Sequence, residues 1–337
     1  MDETNRVTPQ HNEEELVMDG KVALEEHFAI PRYGGRPHFL SLEVWQDVER
    51  RLLDFTELRL GLMDETGIGH AIISLTSPGV QGDHDAKTAI DGARTSNDVL
   101  AEAIEAHPDR FGGFAAVALQ DVDEAVAELH RAVTELGFHG VLINSFSDMP
   151  DGSAAHLDEE RFDPFWSALE NLDVPLYLHP RLLPADQRVA MVKWPEMAGP
   201  VLEFTTETSA SALRLITSGV FDRHPRAQVI LGHLGETLPY NIWRIENRMR
   251  KATDRTTLER KLTSYLTDNF YITTSGHFFT PSLLTAVEVM GSDRVMFSVD
   301  YPFDEMPQGS EWFDNAAIDE DLRQKVGREN AVRLFSL

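Results

Sequence analysis

Lys21-Val-Ala-Leu-Glu-Glu-His-Phe28 decides how this chain folds. The run opens apolar and β-prone, then closes on Glu25, Glu26 and His27. Side chains two apart on a strand share a face, so Glu25 and His27 stand together at its C-terminal end. A strand that is apolar through its body and ligand-like at its tip fits a parallel sheet covered on both faces.

Seven more runs of this kind follow: His70–Thr76, Gly112–Leu119, Gly140–Phe146, Val174–His179, Gln228–His233, Phe270–Ser275 and Arg294–Asp300. Helix-length segments separate them: Leu42–Thr66, Ala86–His107, Val122–Leu136, Glu160–Leu172, Thr208–Arg223, Leu238–Thr267, Pro281–Met290 and Asp319–Leu334. Strands alternating with helices indicate a parallel α/β sheet, and eight such units indicate a closed (β/α)₈ TIM barrel. The punctuation agrees. Asp121 is placed to cap the third of these helices with Glu124 as returning partner, and Pro281 suits a first helical turn. Two connections are long, Arg181–Glu207 after strand five and Tyr301–Ala317 after strand eight. Long βα loops of a barrel lie on its catalytic face.

The chain has 337 residues, 42% of them hydrophobic, which suits one decorated barrel domain over residues 20–337. Residues 1–19 are polar and acidic and read as a disordered extension. They contain no apolar core of a secretory signal, and no run approaches a membrane span, so a cytoplasmic location is expected. Thirty Lys and Arg against fifty-six Asp and Glu give a net charge of −26. Such a surface repels nucleic acid and anionic membrane. The chain has no cysteine, so disulfides and thiolate metal sites are excluded, and any metal is held by His, Asp, Glu or backbone oxygen.

The remaining ligand-type residues fall where a barrel concentrates its chemistry. His179 ends strand five, His233 ends strand six and Asp300 ends strand eight. Strand ends of one polarity converge on one mouth. Two imidazoles with two carboxylates make a hard-to-borderline divalent site, suited to Zn²⁺ or Mn²⁺, with Mg²⁺ also tolerated. Each residue alone has a plainer role: a strand-end His is commonly hydrogen-bonded structure, Glu25 beside Glu26 suits a solvated acidic pair, and Asp300 suits a turn cap. The coincidence of three histidines closing three separate strands favours the site. His70 begins strand two and His139 precedes strand four, both at the other end of the barrel, and both read as structural. His277 follows strand seven and reads as a rim residue.

These stretches resemble the amidohydrolase superfamily, and within it the branch of γ-resorcylate and 2,3-dihydroxybenzoate decarboxylases. The likeness runs from about Gly20 to the C-terminus. It is carried by Gly20–Phe28, Asp173-Val-Pro-Leu-Tyr-Leu-His-Pro180, Gly219-Val-Phe-Asp-Arg-His-Pro225, Leu231-Gly-His-Leu-Gly-Glu236, Trp243-Arg-Ile245, Ile272-Thr-Thr-Ser-Gly276 and Phe297-Ser-Val-Asp-Tyr-Pro-Phe303. The resemblance implies Glu25, His27, His179 and Asp300 as ligands of one metal. It implies Asp300, His233 and Glu236 as the catalytic group, and Arg244, Phe204 and Phe303 as substrate contacts. It also implies a homodimer or homotetramer. Hydrolytic members usually open strand one with His-x-His and carry a bridging lysine on strand four. Here strand one has Glu25-x-His27 and strand four reads Leu142-Ile-Asn-Ser-Phe146, which fits one metal. Retention of His27 leans towards γ-resorcylate enzymes, whereas Gly291–Arg294, Tyr301–Phe303 and Glu311–Asn315 look like the 2,3-dihydroxybenzoate ones.

The expected function is therefore metal-dependent, non-oxidative removal of CO₂ from a hydroxylated benzoic acid, giving a phenol. The resemblance nominates Asp300 as proton donor to the ring. A metal ligand is normally held ionised, so His233 or a water on the metal stays an alternative. The rival chemistry for the same ligands is hydrolysis of an ester, lactone or amide. A barrel that only binds a ligand has no need of such a mouth.

Overall fold

The structure, a computed structural model, describes residues 20–184, 194–252 and 258–337. The predicted extension, residues 1–19, lies outside the described residues. Among the described residues ten strands form, in chain order β1 Lys21–Phe28, β2 Ile68–Leu75, β3 Phe111–Ala115, β4 Gly140–Asn144, β5 Phe146–Asp148, β6 Ala154–His156, β7 Leu176–His179, β8 Val229–Leu231, β9 Phe270–Thr273 and β10 Val295–Met296. Eight of them run parallel in the order β1-β2-β3-β4-β7-β8-β9-β10, with helices between them, as a TIM barrel requires. Strands β5 and β6 form a separate antiparallel hairpin beside the mouth, which the sequence reading missed.

The circle closes between β10 and β1 without a regular ladder. Just beyond the end of β10, His27 N–H donates to Tyr301 O at 2.7 Å and Asp300 N–H donates to Glu25 O at 3.0 Å. Ser298 Oγ accepts from both Leu24 N–H and Glu25 N–H, at 3.1 and 2.6 Å. The eighth predicted strand, Arg294–Asp300, is thus shortened to two residues, because Phe297–Asp300 is held by isolated backbone bonds, such as Phe297 N–H to Val326 O at 2.8 Å and Gly276 N–H to Val299 O at 3.0 Å, and by the Ser298 and Thr274 side chains rather than by a ladder.

Strand β1 carries the decisive irregularity. Its register against β2 slips between Ala23 and Glu26, where three residues on β1 span two on β2. This is a bulge, a device that re-aims side chains next to active sites. Val22 and Leu24 pack inside the barrel with Ile72, Phe114, Leu142, Tyr177, Ile230 and Met296. Ala23 and Phe28 join the larger layer between strands and helices. After the bulge, Glu25 and His27 also reach into the barrel.

Several predicted helices are broken where the chain has capping chemistry. Leu42–Thr66 divides into Leu42–Leu52 and Glu57–Thr66, because Asp54 accepts from the N–H groups of Glu57 and Leu58 at 3.1 and 2.9 Å and starts a new helix. Thr208–Arg223 becomes Glu203–Thr217 and Val220–Arg223, parted at Gly219 with φ +77°. Leu238–Thr267 becomes Leu238–Ala252 and Leu262–Asn269. The loop expected over Tyr301–Ala317 contains a helix, Met306–Asn315, with a proline in its first turn and Met306, Ser310 and Phe313 buried at helical spacing. Part of the long connection after β7, residues 185–193, lies outside the described residues.

Candidate active site

Each ligand-type side chain arrives at the mouth by its own strand. Glu25 and His27 come from β1, His179 from the last residue of β7, and Asp300 from the turn beyond β10. One donor atom from each lies within 4.8 Å of the others. Two donors on a common cation at about 2.1 Å stand at most about 4.2 Å apart, so shifts of a few tenths of an ångström suffice. His27 Nε2 lies 3.2 Å from Asp300 Oδ1, and His179 Nε2 lies 3.3 Å from Glu25 Oε1.

Unmet hydrogen-bonding capacity tests the fit. Among the described residues, Glu25 Oε1, His27 Nε2 and Asp300 Oδ1 are buried with no well-directed hydrogen bond. Orphaned polar atoms are costly, and three converging on one point suit a cation. The outward-facing atoms are all engaged. His27 Nδ1 meets Ser74 Oγ at 3.2 Å, and His179 Nδ1 meets Asn144 Oδ1 at 2.9 Å. Tyr177 O–H donates to Glu25 Oε2 and lies 2.8 Å from Thr273 Oγ1. Such outer partners fix the tautomer and direction of ligands. Tyr177 is two residues from His179 on one strand, and Asn144 is the polar tip of β4. Both were legible from strand alternation, and both were overlooked.

Glycine and left-handed backbone make the room. A Cβ on Gly232 would lie 2.3 Å from Glu25 Oε2, so only glycine lets the carboxylate pass. Asp300 (φ +82°), His233 (φ +51°) and Glu236 (φ +57°) are left-handed non-glycine residues. Such conformations cost about 1–3 kcal/mol each and cluster at functional sites.

Beside the four donors stands a second group. His233 Nε2 is 3.5 Å from Asp300 Oδ2, while its Nδ1 is 2.7 Å from Glu236 Oε1. Burial works against a charged His233, yet Glu236, Glu25 and Asp300 outweigh it and raise its pKa well above the ordinary histidine value. Burial alone would raise Asp300, but hydrogen bonds and charge from His233 and His27 hold it well below the usual carboxylate range. His179 is pushed well down, first by burial and then by His27, which favours the neutral imidazole, the form able to bind a metal. Burial pushes Glu25 up. Asp304, which the sequence reading did not single out, is pushed to about 7 by burial and by Asp300.

This floor opens into a cavity of about 1400 Å³ whose lining includes His179, His233, Glu236, Asp300, Phe204, Phe303, His277 and Asp304. Phe303 stands edge-on to His27, ring centres 5.9 Å apart, and Phe204 stands edge-on to Phe39 at 5.7 Å. Arg244 is elsewhere. It is exposed on helix Leu238–Ala252 and lines a separate groove with Ser209, Leu213 and Arg248. His70 and His139 pack against one another and Gly112, away from this floor.

The family model described as Amidohydrolase matches residues 27–337. A γ-resorcylate decarboxylase of Rhizobium radiobacter is 48% identical over 325 residues, covering 95% of this chain and 99% of the relative. A solved 2,6-dihydroxybenzoate decarboxylase in complex with 2,6-dihydroxybenzoate superposes with a TM-score of 0.93 at 46% identity, covering 95% of this chain and 100% of the other. A dihydroxybenzoic acid decarboxylase from Polaromonas sp. JS666, with bound manganese and the inhibitor 2-nitroresorcinol, gives 0.92 at 42% identity, covering 95% and 98%.

Proposed function

We propose, starting from the fact that the chain belongs to the amidohydrolase family, that it is a carboxy-lyase releasing CO₂ from a hydroxylated benzoic acid, 2,6-dihydroxybenzoate (γ-resorcylate) first among them. The observation that carries this reading is the set of orphaned donors on Glu25, His27 and Asp300, with His179 beside them, at the floor of an aromatic-walled cavity. A divalent cation held by these four residues, Mn²⁺ or Zn²⁺, supplies Lewis acidity and a template for an anionic substrate.

The protein's own groups then handle one proton. Decarboxylation replaces the ring's C–CO₂⁻ bond with C–H, so the ring carbon gains a proton and the electron pair of the broken bond returns to the ring. A ligating carboxylate is a poor reservoir for that proton. His233 is a good one, since Glu236 and Asp300 favour its charged form. We assign His233 as the store, Glu236 as the group that aims it, and Asp300 Oδ2, 3.5 Å from His233 Nε2, as the atom that hands the proton to the ring. Phe204 and Phe303, both in the cavity wall, contact the ring and exclude water. Two or four copies of the chain are proposed to assemble. Arg244 can contact a substrate only across such an assembly, since in its own chain it faces another groove.

The test is a panel of 2-, 2,3-, 2,4- and 2,6-hydroxylated benzoates with Mn²⁺ or Zn²⁺, followed by CO₂ release and phenol formation. The 2,6-isomer should turn over fastest. Absence of CO₂ from every isomer, together with opening of a lactone, would replace this reading with the hydrolase. No helix among the described residues is long and apolar enough to cross a membrane.

A further inference from the structure

Glu26 stands between two proposed ligands in sequence, yet touches neither the donor cluster nor the cavity. The bulge in β1 turns it the opposite way from Glu25 and His27. It is completely buried. A carboxylate in such a place must be compensated, and its partners are unusual. Oε1 accepts from Val299 N–H at 3.0 Å and from Ser298 O–H at 3.2 Å. Oε2 accepts from Tyr301 N–H at 3.2 Å. Val299 and Tyr301 are the residues immediately before and after Asp300. One carboxylate thus grips the backbone on both sides of the residue whose φ of +82° carries it into the site.

The grip sits where the barrel has no ladder. Strand β10 ends at Met296 and pairs with β9 alone, so towards β1 the turn bearing Asp300 is held by Glu26, Ser298 and two backbone bonds, while Gly276 N–H to Val299 O at 3.0 Å and Thr274 on Ser298 hold its other flank. A second buried group reinforces it. The Arg59 guanidinium donates to the carbonyl of His27, lies 4.8 Å from the centre of the Tyr301 ring, and is itself fully buried. Arg59 is therefore tied to one proposed ligand residue and to the neighbour of another.

We infer that Glu26, backed by Arg59, is a positioning residue that sets the backbone of Asp300 and thereby the metal affinity and the aim of the proton donor. This rests on the metal-site reading above and extends it to a residue that never meets metal or substrate. Partners in the layer around a ligand shell typically carry about 10–100-fold in metal affinity or activity.

The experiment is Mn²⁺ titration of the metal-stripped full-length protein, following the signal of free aqueous Mn²⁺ by electron paramagnetic resonance, well below the melting temperature. Wild type, Glu26→Gln and Lys21→Met are compared. The amide keeps one acceptor but loses a hydrogen bond to one side of Asp300. Lys21→Met removes the pair to Asp314, 2.9 Å apart, from the far end of the same strand, and controls for loss of stability alone. The expected result is about 10–100-fold weaker Mn²⁺ binding in Glu26→Gln, a lower kcat at saturating Mn²⁺ with little change in KM, and wild-type affinity in Lys21→Met. Equal affinity in wild type and Glu26→Gln would overturn the inference, as would equal weakening in both variants. Failure of wild type to bind Mn²⁺ would overturn the metal-site reading instead. If Glu26→Gln does not accumulate folded, Glu26→Asp, which keeps both oxygens but withdraws them by one methylene, is read by the same criteria.

Discussion

Glu207 is a buried acid whose charge the fold opposes, and replacing it by glutamine should stabilise the protein in a pH-dependent way. It lies on helix Glu203–Thr217, the helix that brings Phe204 to the cavity. Its Oε1 accepts from the hydroxyls of Ser145 and Ser211, the latter at 2.7 Å, while Oε2 is buried with no hydrogen-bond partner among the described residues. Burial outweighs the serine bonds and pushes its pKa from 4.5 to about 7. Unfolded, Glu207 releases its proton near the ordinary value; folded, it keeps the proton until about pH 7. Between those limits the folded state holds more protons, so this residue's contribution to stability falls as pH rises. At about 1.4 kcal/mol per pH unit the gap amounts to about 3 kcal/mol once pH exceeds 7. The amide of Glu207→Gln keeps one acceptor and does not ionise. Any fixed cost of its NH₂ group is the same at every pH and cancels from the slope. Urea unfolding of wild type and Glu207→Gln at pH 5, 6, 7 and 8 should show their difference moving by about 2–3 kcal/mol in favour of glutamine. A difference flat across that range would refute the reasoning, because it would mean Glu207 titrates alike folded and unfolded.

Asp300→Asn should lower kcat for CO₂ release by about 100-fold or more, and full activity would exclude Asp300 from proton transfer. Gly232→Ala places a methyl 2.3 Å from Glu25 Oε2, which Tyr177 already holds; thermal melts should show a loss of about 1–3 kcal/mol, and an unchanged melt would show that Glu25 has room to retreat. Asn144→Leu removes the partner of His179 Nδ1 and should weaken Mn²⁺ binding about 10–100-fold in a titration; unaltered affinity would mean the imidazole is aimed by packing alone.

Much of this architecture is written locally in the chain. Apolar runs ending in Glu25-x-His27, His179, His233 and Asp300 give the strands, their direction and the mouth together, since alternation fixes faces and the barrel fixes which ends meet. What escaped the sequence depends on contacts made at a distance. The bulge in β1 is invisible in Lys21–Phe28 because only the register against Ile68–Leu75 defines it. Glu26 reads like a solvated neighbour of Glu25, and its burial follows from backbone N–H groups 273 and 275 residues away. The shortened last strand has the same origin, and so does the hairpin of β5 and β6, whose three-residue strands fall below any periodic signal. Arg244 illustrates the reverse limit. A motif places it in sequence beside the site, but the face of helix Leu238–Ala252 that carries it turns to another groove.

Anomalous diffraction at the manganese edge, from crystals of the protein grown with Mn²⁺, addresses the shared cation most directly. One peak should stand within bonding distance of Glu25 Oε1, His27 Nε2, His179 Nε2 and Asp300 Oδ1. A catalytically active crystal with its only manganese peak elsewhere, or with none, would contradict the proposed centre.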